Sequence, residues 1–194
     1  ARLGEDASLA KWVQAHESSE SASSDHWFAL GSFHAGRREH REAVRCFCRC
    51  VLIDQTDYEA YEALAASLRQ LGADQPAGEA ETRAKAIKET QDLGAAMAAS
   101  RSRDVREIDR IVELLSQLRR PIEALSWRGV KLAYDQSQGA LNAEQAQAVL
   151  NAIVRDRKVI IDSDATEADP LYRTCGIDLD SLAAIGSPDG QGKQ

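Results

Sequence analysis

Trp27, Leu30, Gly31 and His34 fall at spacings 0, 3, 4 and 7, one stripe along an α-helix, and Gly36 then breaks the pattern where a helix end and a turn are expected. A second amphipathic stretch follows, with Ala43, Phe47 and Cys50 on its apolar side. The same arrangement returns 34 residues on, as Tyr61, Leu64, Ala65 and Leu68 followed by Ala77, Ala80, Ala84 and Ile87. A third copy reads Ile108, Ile111, Val112 and Leu115, and Ala124 stands 16 residues after Ile108, as Ala43 does after Trp27. The words LRQLG (68–72) and LSQLR (115–119) also align, 47 residues apart. This spacing predicts antiparallel helix pairs. Gly31 and Ala43 are small enough for two helices to touch, while Trp27 and Phe47 fill the gaps on either side. A single such pair cannot bury its own apolar face, so it needs neighbours.

The string W-x2-L-G-x2-H followed by A-x3-F resembles the signature of the tetratricopeptide repeat (TPR) family. His34 stands in place of the usual aromatic, and Gln55 where a closing proline is common. The resemblance covers about residues 24–138. It implies an all-α fold, a right-handed α-solenoid of helix hairpins with extra helices at both ends. The expected organisation is an N-terminal helix and serine-rich joint (1–23), a helical array with a C-terminal capping helix (24–158), and an acidic, mostly irregular tail (159–194).

Local signals fill in that outline. Leu9, Trp12, Val13 and His16 predict a helix over residues 5–16, capped by Asp6 or Ser8. Thr56 with Glu59 predicts a capping box for the second unit, and Asp104 with Glu107 a cap of the same type for the third. Asp74-Gln75-Pro76 starts a helix in which Glu81 occupies the slot of the large aromatic, so small residues pack it closely. The stretch LGAAMAASRSR (93–103) reads as an extension of that helix or a short inserted turn. Pro121 suits a first helical position, and Trp127, one place off the repeat aromatic, implies a slight rotation of its helix. Residues 142–158 predict a last helix capped by Asn142. The tail beyond it carries apolar residues (Leu171, Tyr172, Ile177, Leu179) among acids and is expected to lie against something.

Composition narrows the function classes. A net charge of −7 argues against nucleic acid as partner, since phosphates need a positive surface. No run of 18 apolar residues exists to span a membrane. The chain has no starting methionine or signal-like segment, which points to a processed or excised piece. Cys46, Cys48, Cys50 and Cys175 lack the second pair of a zinc site and read as buried, reduced thiols, which points to a reducing compartment such as the cytoplasm. The histidines (16, 26, 34, 40) form no metal-binding spacing. No phosphate-cradling glycine loop or nucleophile motif appears. The expectation is a protein with no catalytic residues, no cofactor and no metal.

In TPR proteins the first helix of each repeat lines a concave groove that binds a peptide. Carried over by position, the groove here would expose Asp25, Phe28, Ser32, Glu62, Ala66, Arg69, Arg106, Asp109, Glu113 and Gln117. The set lacks the paired lysines and asparagines with which chaperone-binding TPR domains grip a carboxylate. The resemblance thus implies a non-catalytic interaction module for a protein or peptide partner. The alternative is a helical accessory domain of a larger multidomain protein, favoured by the missing start and the apolar, linker-like end Leu171 to Ile185; RRPIEALSW (119–127) is also similar to TPR segments that precede propeller-like domains in large bacterial proteins. Arg101, Arg103, Arg106, Arg110, Arg119, Arg120, Arg128 and Lys131 form a basic region, read as a solvated helix face or as a dock for an acidic segment such as the tail.

Overall fold

A computed structural model describes residues 23–99, 104–166 and 168–180. Among them are eight helices and no strand: α1 (Ser24–Gly36), α2 (His40–Ile53), α3 (Tyr58–Gln70), α4 (Asp74–Ala99), α5 (Val105–Gln117), α6 (Pro121–Ser137), α7 (Ala143–Asp162) and α8 (Pro170–Arg173). The expected N-terminal helix (5–16) and most of the serine-rich joint lie outside the described residues. The described residues divide into two compact units, 23–84 with 170–180, and those between 85 and 169. The boundary falls inside α4, which continues through LGAAMAA without a break, and residues 170–180 join the first unit.

In the first unit, Ser23 opens α1 by accepting from the His26 amide. The stripe Trp27, Leu30, Gly31, His34 is buried, as are Ala43, Phe47 and Cys50 opposite it. Gly31 is where α1 meets α2: a methyl group there would come within 2.7–2.9 Å of the Phe47 ring. Helix α3 packs on α2 and also touches α1. Its cap is Asp57, accepting from Ala60, rather than the expected Thr56. Thr56 instead spends its amide and hydroxyl on Asp54, at 2.8 and 2.7 Å. The Cys50 thiol, 3.6 Å from the second Asp57 oxygen, fixes that carboxylate where it can cap. Ala77, Ala80 and Ala84 line the first part of α4 as the seam predicted, and Glu81 reaches out to Arg69.

The second unit has its own interior. Met97, Ile108, Ile111, Leu115 and Ala124 form one buried cluster, with Leu93, Val112, Trp127 and Val130 packed around it. Asp104 caps α5 through the Arg106 amide, at 2.9 Å; the expected Glu107 side-chain half of the box does not appear among the described bonds. Pro121 occupies the start of α6. Asn142 and Gln145 cap α7 reciprocally, and α7 packs on α6. It runs to Asp162, four residues past the expected end, because Val159, Ile160 and Ile161 continue the helix instead of starting the tail.

One turn recurs. After α1, α3 and α5 the chain passes through a left-handed residue, Arg38 (φ 63°), Gly72 (φ 73°) and Arg119 (φ 54°). Each stands 11 residues after the first member of its stripe, Trp27, Tyr61 and Ile108. The next amide closes back five residues each time: Glu39 to His34, Ala73 to Leu68 and Arg120 to Leu115, at 2.9–3.0 Å. Glycine holds this position in only one of the three. Arg38 is exposed and carries the cost of a side chain in left-handed backbone, about 1–2 kcal/mol, partly offset because arginine has less freedom than glycine when unfolded. Arg38→Gly is therefore expected to raise stability by about 0.5–1 kcal/mol. An upward shift in the urea midpoint checks it, and a downward one refutes it.

Candidate interaction surfaces

The stripe residues of α1 and α3 point inward, which leaves the intervening positions facing out. Asp25, Ser32, Glu62, Ala66 and Arg69 are exposed on these two neighbouring helices of the first unit. Ser32 donates back to the Phe28 carbonyl at 2.9 Å. Phe28 itself is half-buried, its ring tilted against Phe47 at a centroid distance of 5.9 Å, so it belongs as much to the helix contact as to the surface. Arg69 donates to Glu81 across the α3–α4 pair at 2.6 Å.

In the second unit Arg106, Asp109, Glu113 and Gln117 are exposed along α5. Arg106, Asp109 and Glu113 are tied to neighbours. Arg106 folds onto the cap residue Asp104, Asp109 accepts from Lys131 of α6, and Glu113 accepts from Arg110. Arg110 also grips Glu89 of α4 with two bonds, at 2.7 and 3.0 Å. These bonds hold the Glu89 carboxyl below its usual range and push Arg110 up, and the Arg106 bond does the same to Asp104. Arg106, Arg110, Arg120 and Lys131 thus meet acids of their own unit. Arg101 and Arg103 lie outside the described residues.

His34 and Glu39 are occupied structurally. His34 Nδ1 lies 2.7 Å from Glu39 and ties the end of α1 to the start of α2. That bond, then the one from Arg37, keeps the Glu39 carboxyl below its usual range. Burial raises the Cys48 and Cys175 thiols and pushes Cys50 up to about 12, so they stay protonated and unreactive.

Two features escaped the sequence reading. Along α7, Val149, Leu150, Val154, Val159 and Ile161 are exposed apolar side chains, on a helix predicted only to 158. The described part of the tail, residues 170–180, belongs to the first unit, where Arg83 of α4 receives it, and not to the basic stretch from 101 to 131 that was one reading of a dock for it. The available signal was the run of apolar residues Leu171, Tyr172 and Ile177 among acids, together with an arginine next to an alanine seam. No helix among the described residues is long and apolar enough to cross a membrane. In comparisons with known proteins, no family model, curated sequence or solved structure matches the chain.

Proposed function

We propose that the chain is a non-catalytic interaction module of the tetratricopeptide-repeat kind, a right-handed stack of helix pairs that holds a protein or peptide partner along its first helices. The observation that carries this reading is the outward face of α1 and α3, where Asp25, Ser32, Glu62 and Ala66 stand exposed on touching helices. A face of mixed charge with a small apolar residue at its middle suits an extended or helical segment held by hydrogen bonds and charge.

Glu62→Arg with Ala66→Arg tests the reading without touching the core. A partner retained by the immobilised wild-type chain should be lost from the variant, with affinity down about tenfold or more, equivalent to ~1.4 kcal/mol, and with Tm unchanged. Retention that ignores both substitutions overturns it. A second reading, an accessory domain that packs inside a larger multidomain protein, draws support from the exposed apolar residues of α7, the kind of surface an interdomain contact covers.

A further inference from the structure

Residues 170–180 behave as a ligand of the unit they join. The segment is a four-residue helix, Pro170–Arg173, followed by a knuckle in which Cys175 (φ 57°) and Gly176 (φ 78°) are both left-handed. So short a helix has no stability of its own, and its order comes from what it touches. The knuckle is closed by Thr174, whose hydroxyl donates to the Ile177 carbonyl at 2.7 Å, and by the Gly176 amide bonding back to Leu171. This directs Thr174, Cys175 and Ile177 inward, where they are 2%, 2% and 4% exposed.

Two arginines make the recognition directional. Arg83 of α4 lays its guanidinium over the Tyr172 ring, 3.7 Å from the centroid, and donates to the Cys175 sulfur at 3.2 Å. Arg173 donates to the Leu52 carbonyl at 2.9 Å, one of the last carbonyls of α2 and part of the negative end of that helix. These contacts join residues 92 and 121 positions apart in the chain. Arg83 is only 8% exposed, and its described contacts are a ring and a thiol, neither of which neutralises it. Release of the segment would return this charge to water, which offsets part of the apolar burial lost. The contact is specific in geometry, and the buried charge of Arg83 weighs against it.

We propose that the face formed by α2 and the first part of α4 is a peptide-docking surface whose resident occupant is the chain's own segment 170–180. It takes in exchange a partner segment of the same chemistry: an aromatic residue for Arg83, a basic residue next to it for the end of α2, then small and aliphatic residues. This surface belongs to the second helices of the pairs, so it does not depend on the first-helix reading above.

The test uses a fluorescent peptide of residues 169–180, under reductant, and full-length chains. Tyr172→Ala with Ile177→Ser frees the surface. The peptide is expected to bind this variant at least about tenfold more tightly than wild type, because the competing resident is gone. Adding Arg83→Gln should abolish that gain. Equal affinity for the freed and wild-type chains, or no binding to the freed chain, overturns the proposal. Should the freed variant unfold, hydrogen exchange on wild type decides: saturating peptide is expected to speed exchange at the Thr174 to Ile177 amides, and unchanged rates overturn the proposal.

Discussion

Phe47→Ala is expected to destabilise the first unit by about 3–5 kcal/mol, a large share of what holds a domain of this size together. The ring is 1% exposed and fills the space between α1 and α2 directly over Gly31. Truncation removes its apolar burial and leaves a hollow that two rigid helices cannot close. Gly31→Ala attacks the same contact from the other side. Its methyl would sit 2.7 Å from a ring atom that has nowhere to go, so overpacking should cost about 1–3 kcal/mol despite alanine's better helix propensity. The two changes must then couple. In the Phe47→Ala background the methyl enters vacant space, and Gly31→Ala should become neutral or stabilising by up to about 1 kcal/mol. Urea denaturation of the two single variants and the double variant measures the cycle. Additive costs would show that the ring and the glycine do not meet.

Ile111→Ala is expected to cost about 2–5 kcal/mol in the second unit. Ile111 is fully buried at the centre of a cluster with Met97, Ile108, Leu115 and Ala124, and Trp127 and Val130 pack from outside. The ion pairs around it do not compensate, because Arg110 with Glu89 and Lys131 with Asp109 are partly open to solvent and such pairs contribute little singly. Hydrogen exchange should therefore rise along α5, α6 and residues 85–99 of α4 more than along α1 to α3. A uniform rise over both units would mean that the boundary within α4 is not an energetic one.

What the sequence made legible is what local chemistry decides. The stripes at 27–34, 61–68 and 108–115, the alanine seam of α4, Pro121 at the head of α6 and Asn142 at the head of α7 all came through, because each depends on residues within one or two turns. Elsewhere a neighbour decided. Thr56 and Asp57 are both good caps, and the choice between them was made by Asp54 binding Thr56 and Cys50 reaching Asp57. Arg38 and Arg119 gave no sign of left-handed backbone, since only Gly72 carries the usual residue there. The division inside α4 leaves no trace in sequence because no turn marks it. On the outward faces, position along the helix predicted exposure. It did not predict that Asp109, Glu113 and Arg69 would be tied to Lys131, Arg110 and Glu81, since the second partner comes from a different turn or a different helix.

The first unit takes in both α1 to the first part of α4 and residues 170–180, with the second unit encoded between them. During synthesis, domains usually fold in the order they emerge. Here the ribosome must translate another eighty-odd codons before Arg83 meets Tyr172 and the end of α2 gains its arginine. A premature stop anywhere in that interval would damage two units at once, the one it interrupts and the one that looked finished long before.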